Sequence, residues 1–327
     1  MTSPAATTAP PVLAAAVPLA YVEREGTVES VHLGTVAELD AGGGLTGRGD
    51  PDVAFLPRSA LKPVQAVALL RAGLDLDGEL LALACASHSG EPTHVDGVRR
   101  ILAGAGLTED DLDNTPDLPL DPDAAAGVRA SGGGPAPVLQ NCAGKHAAML
   151  AACVAAGWPT TGYRDPGHPL QRLVRDTVAD LTGVEPAVTT VDGCGAPLLG
   201  STPAGLARAF ARIATAAPGT PEGRVAAAMR EHPWWVGGTG RDVTRLAQAV
   251  PGLVAKDGAE GVLAAALPDG RAFAVTVLDG AARPLPVVAA GLLGGWGVHS
   301  PALDTAGRVE VLGHGEPVGS VRLVPQP

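Results

Sequence analysis

"GVLAAALPDGRAFAVTVLDG", residues Gly261–Gly280, is apolar on both sides of Pro268-Asp269-Gly270. Proline presets the first turn angle and glycine accepts positive φ, so the stretch reads as a β-hairpin with two buried strands. Working outward, "RVEVLGHGEPVGSVRLVP" (308–325) repeats that organisation and reads as a second hairpin. At the other end of the chain, "VESVHLGTVAEL" (28–39) alternates like a strand. A Gly-rich turn, "DAGGGLTGRGDP" (40–51), follows, and "DVAFLP" (52–57) reads as one more strand. Between these ends the apolar spacing predicts helices over 60–72, 95–107, 144–156, 169–181 and 203–216. Strands at both ends and helices between them define an α+β fold: a mixed or antiparallel sheet shared by the chain ends, with a helical region. The Asp-, Pro- and Gly-rich stretch 111–137 is expected to be an irregular surface excursion. There is no internal repeat and no mid-chain linker, so 21–327 is expected to form one domain behind a disordered 1–20 tail.

Composition narrows the function. In 327 residues, 46% are hydrophobic and only 3% aromatic, so the core is built mainly from Ala, Val and Leu. A net charge of −11, with no basic cluster, repels a nucleic-acid backbone. The opening "MTSPAATTAPPVLAAAV" has no Lys or Arg, unlike a secretory signal, and no apolar run reaches the ~20 residues of a bilayer span. A cytoplasmic enzyme without nucleic-acid or membrane partners is expected. Four cysteines in so long a chain do not form a disulfide framework.

The 23 basic residues include only three lysines, Lys62, Lys145 and Lys256. Arg keeps its proton, whereas a desolvated amine can lose it and act as base or ligand. Lysines surviving in an Arg-rich chain therefore point to amines whose neutral form matters. In "PRSALKPVQA" (57–66), Ser59 stands three residues before Lys62: either a helix cap, or a nucleophile with its base, as Ser-x-x-Lys serves in penicillin-binding proteins. Where the apolar run "ELLALACASHSGE" (79–91) stops, Ser87, His88 and Ser89 are expected at a cavity, and a Ser87/Lys256 pair would supply a second proton relay. Cys142, in "NCAGKH", precedes a helix, and Cys194 lies in the Gly-bracketed turn "VDGCGAP". With Lys145 they admit a thiolate nucleophile, a metal site or a redox-sensitive contact. Cys85 and Cys153, set among Ala, Leu and Val, read as core residues.

Five motifs in order, "PRSALKPVQA", "LACASHSGE", "NCAGKHAAML", "DGCGAP" and "GLVAKDG", resemble the bacterial L-asparaginases of the Rhizobium etli type, which are similar in fold to serine β-lactamases and glutaminases. The resemblance runs from about Tyr21 to near the C-terminus, with 110–137 poorly matched. It implies hydrolysis of L-asparagine to aspartate and ammonia by a homodimer. Catalytic pairs are implied at Ser59/Lys62 and Ser87/Lys256, Ser59 attacking the amide, and a Zn2+ site at Cys142, Lys145 and Cys194. Arg58 and Asp192 are candidates, on charge, for the substrate's carboxylate and amine. A glutaminase or broader amidase, and a non-catalytic zinc or thiol sensor, are the competing readings.

Overall fold

The computed structural model describes residues 11–325. Among these described residues ten strands are formed: β1 (Val17–Arg24), β2 (Thr27–Leu39), β3 (Leu45–Arg48), β4 (Thr189–Val191), β5 (Pro197–Leu199), β6 (Val254–Gly258), β7 (Val262–Ala266), β8 (Ala272–Val277), β9 (Glu310–Gly313) and β10 (Glu316–Leu323). The main sheet runs β6-β7-β8-β2-β1-β10-β9, with β3 also on β2 and every pairing antiparallel. The two chain ends meet inside it, Val22 opposite Val321. Strands β4 and β5 form a separate pair.

The β7–β8 hairpin pairs Ala264 with Ala274. Because side chains alternate along a strand, Ala264, Ala266, Ala272 and Ala274 share one face and Leu263, Ala265, Phe273 and Val275 the other. The alanine face joins the larger core, where the helices Lys62–Arg71, Gly78–Ala84, Ala143–Ala156, Pro169–Thr182 and Pro203–Thr215 pack. The bulkier face meets the helices Asp242–Ala249, Leu285–Gly295 and Pro301–Ala306. The result is a sheet covered by helices on both sides.

Several sequence expectations need correction. "DVAFLP" forms no strand; its one ladder contact is the bridge Phe55–Ser201, because the segment leaves the sheet and meets the turn after β5. The Gly-rich turn contains β3. The 111–137 excursion holds a helix, Pro122–Ala130, capped by Asp121, whose carboxylate accepts from the Ala124 N–H at 2.7 Å. Of the expected 1–20 tail, residues 1–10 lie outside the described residues. The rest is built into the fold as the helix Pro11–Ala15 and the start of β1.

Candidate active site

A cavity of about 430 Å³ opens where five segments converge. Arg58 and Ser59 come from the turn before the Lys62–Arg71 helix, Ser87 from the turn after Gly78–Ala84, and Asn141 and Cys142 from the start of Ala143–Ala156. Asp192 and Cys194 come from the β4–β5 turn, and Asp257 and Gly258 from β6. Arg241, Thr115 and Asp117 complete the walls, so the excursion poorly matched in sequence forms part of the rim.

Two glycines permit this convergence. A Cβ on Gly258 would stand 2.5 Å from the Pro57 carbonyl oxygen and 3.2 Å from the Ala60 nitrogen, so β6 can approach the Ser59 turn only without a side chain there. A Cβ on Gly144 would come within 2.5 Å of the Leu83 carbonyl oxygen, so the helix carrying Lys145 can lie against the one that ends before Ser87. Arg58 itself has φ +54°, a left-handed conformation unusual for a residue with a side chain, and Glu260 across the cavity has φ +59°. Backbone strain of this kind tends to concentrate at functional sites.

The three lysines lie behind the cavity wall at 1%, 2% and 0% exposure, which places all of them in the desolvated setting that the composition argument requires. Their partners differ from the expected pairs. Lys62 Nζ donates to the Ala86 carbonyl at 2.6 Å and sits 3.0 Å from Ser87 Oγ. Its charge also acts on the Cys142 thiol. The Ala86 carbonyl, in the turn that follows the Gly78–Ala84 helix, draws the amine towards Ser87. No lysine lies within hydrogen-bond distance of the Ser59 hydroxyl, which faces the cavity, and Ser59 caps no helix. Lys256 is held by its own neighbour, donating to the Asp257 carbonyl at 2.6 Å and to its carboxylate. Asp257 in turn accepts from Arg241 Nη2 at 2.9 Å. Lys62 thus serves Ser87, and Lys256 serves Asp257.

Electrostatics follow from these contacts. Burial pulls Lys256 down against the opposing pull of Asp257, to about 8. Burial works to raise Asp257, but Lys256 and Arg241 overcome it and hold the carboxyl at about 2. The hydrogen bond between Cys142 and Cys194 splits the pair, lowering Cys142 well below the usual thiol range and raising Cys194. Burial opposes charge on Lys145, but the Cys194 and Cys142 sulfurs and Asp192 outweigh it and keep the ammonium. Burial pushes Cys85 to about 12 and Cys153 to about 11, inert thiols as expected.

Arg58 and Asp192 are brought together as a direct ion pair, 2.8 Å at its shortest. Cys142, Lys145 and Cys194 also converge, with Lys145 Nζ 3.1 Å from Cys194 Sγ and Cys142 Sγ 3.0 Å from Asn141 Oδ1. This donor set, two sulfurs and an amine already polarised against one another, fits a zinc ion, provided that Lys145 and Cys194 shed their protons. Among the described residues no group of three or more His, Cys, Asp and Glu is placed to hold a metal ion. Of the turn expected at the cavity, only Ser87 reaches it. His88 turns inward and stacks on His94, which stacks on Trp234, with ring centroids 5.3 and 4.1 Å apart. Ser89 donates to the Gly237 carbonyl. Sequence reasoning missed Arg241, Asp257, Asn141 and Thr115. Asp257 was signalled by its place beside Lys256; Arg241, in the loop "GGTGRD", carried no signal.

The geometry can be set beside known proteins. A family model described as L-asparaginase II matches residues 20–323. No curated protein matches. Among solved structures, Mglu in its native form is 17% identical with a TM-score of 0.44, over 81% of this chain and 65% of that one. The chain therefore spans less than two thirds of Mglu's length. A β-lactamase from Mycobacterium bovis is 15% identical with a TM-score of 0.46, over 81% of this chain and 95% of that one.

Proposed function

Because the chain belongs to the L-asparaginase II family, we propose that it is an L-asparaginase, an amidohydrolase converting L-asparagine and water to L-aspartate and ammonia through a serine ester. The observation that carries this reading is the buried Lys62–Ser87 contact at 3.0 Å, with Ser87 facing the cavity. Acting as base, Lys62 turns its lone pair to the Ser87 hydroxyl and keeps an N–H on the Ala86 carbonyl. Ser87 Oγ attacks the amide carbon, and Ser59, also facing the cavity, hydrogen-bonds the carbonyl oxygen as it becomes negative. The Lys256 ammonium gives the departing nitrogen its proton. Neutral Lys256 then takes a proton from the water that cleaves the ester, and Lys62 returns its own proton to Ser87. A lysine at about 8 suits both directions of transfer. Relative to the sequence expectation, Ser87 takes the attack from Ser59, Ser59 becomes the donor to the carbonyl oxygen, and Lys256 relays protons without Ser87.

Cys142, Lys145 and Cys194 would hold zinc, which when bound fixes the cavity wall and helps to orient the substrate. Arg58 and Asp192 would form the mouth of the substrate pocket. A cytoplasmic location and a homodimer belong to the same proposal. Among the described residues, no helix is long and apolar enough to cross a membrane.

The test is ammonia release from L-asparagine and, in parallel, L-glutamine. Release from asparagine should fall at least ~10³-fold in Ser87→Ala, and by roughly 10- to 100-fold in Ser59→Ala, where a hydrogen bond to the carbonyl oxygen is lost. A fully active Ser87→Ala with a dead Ser59→Ala would return the attack to Ser59. No release from either substrate would overturn the reading and favour the sensor.

A further inference from the structure

We infer that Arg241 is the anchor for the substrate's α-carboxylate; the inference deepens the asparaginase reading and rests on it. Two cations line the cavity, Arg58 and Arg241. Arg58 turns Nε and Nη2 onto the same Asp192 oxygen, at 2.9 and 2.8 Å, and its Nη1 lies 3.9 Å from Glu260. Arg58 is thus shared between two carboxylates, one of which also holds the Lys145 ammonium, so its guanidinium has little left for a third carboxylate. On the Arg241 wall the balance reverses: Asp257 is the shared partner of both Arg241 and Lys256, so two cations face one anion. The surplus charge attracts an anion to this side.

Arg241 is also correctly placed along the substrate. In asparagine three bonds separate the carboxylate carbon from the amide carbon, so the anchor has to stand close to the attacking residue. Arg241 Nη2 is fixed on Asp257 at 2.9 Å, and Nη1 reaches the carbonyl oxygen of Ser87 itself at 3.4 Å. These bonds hold the guanidinium plane but spend only two of its five N–H groups, leaving donors for a carboxylate.

Substrates that each keep one end of asparagine test this. Succinamate retains the carboxylate and lacks the amine, whereas 3-aminopropanamide retains the amine and lacks the carboxylate. Arg241→Gln should lower kcat/KM for asparagine and succinamate roughly 10- to 100-fold, the worth of a charged hydrogen-bond pair. It should lower 3-aminopropanamide turnover far less, by no more than the few-fold that retuning Asp257 and Lys256 brings, which also controls for folding, and Arg241→Lys should recover part of the loss. Equal losses on all three substrates would make Arg241 a positioning residue and overturn the inference. Calorimetric binding of L-aspartate separates this outcome from failure of the asparaginase reading. Affinity lost in Arg241→Gln upholds the anchor even if wild type releases no ammonia; affinity retained overturns it.

Discussion

Replacing Asp257 with Asn should move the alkaline limb of kcat to lower pH. The Lys256 ammonium is the proposed donor to the departing nitrogen, so turnover falls as Lys256 loses its proton, which it does at about 8. Burial is what lowers this lysine, and the Asp257 carboxylate opposes burial by favouring the charged form. Two unit charges about 4 Å apart at an effective dielectric of ~20 interact by ~4 kcal/mol, or about 3 pKa units at ~1.4 kcal/mol each. Asn keeps a carbonyl oxygen to accept from Nζ, and the Asp257 backbone contact at 2.6 Å survives, so about 1–3 units of that should appear. Removing the anion also leaves Arg241 unneutralised, which pushes in the same direction. The falling limb should therefore shift from near 8 to roughly 5–7. Ammonia release at saturating asparagine, followed across pH, reads this limb in the enzyme–substrate complex. A limb that stayed in place or moved to higher pH would refute the assignment of Lys256 as the acid.

Three further outcomes are expected. Gly258→Ala inserts a Cβ that would stand 2.5 Å from the Pro57 oxygen; it should cost about 1–3 kcal/mol in denaturant unfolding and depress kcat, and wild-type values for both would contradict the close approach. Lys145→Arg keeps a positive charge but cannot become neutral, so bound zinc measured by elemental analysis should fall well below that of wild type; an equal content would remove Lys145 from the ligand set. Burial lowers buried His94 from 6.5 to about 4, so the folded state holds it neutral. Its contribution to stability is present above 6.5 and lost as pH falls from 6.5 to about 4, by about 3 kcal/mol in all. The stability gap between wild type and His94→Gln should narrow over that range, and a constant gap would mean that His94 does not titrate there.

Local signals in the sequence determined more of this protein than its low aromatic content suggests. The Pro268-Asp269-Gly270 turn, flanked by apolar runs, specified the β7–β8 hairpin, and helical periodicity specified the segments that became Lys62–Arg71, Ala143–Ala156 and Pro203–Thr215. Composition marked the three lysines, and all three are buried beside the cavity. Each of these depends on neighbours within one turn, one hairpin or one amine's own chemistry. Tertiary structure alone decided which partner each lysine meets: three-residue spacing joins Ser59 to Lys62 along the chain, but the Ala86 carbonyl, in the turn after another helix, draws the amine to Ser87. It also withdrew "DVAFLP" from the sheet and built a cavity wall from the irregular excursion. Arg241 became part of the site only because folding set it against Asp257 and the Ser87 carbonyl. Periodicity and turn chemistry act over a few residues, whereas hydrogen bonds and charge pairing between distant segments depend on packing, which no local pattern encodes.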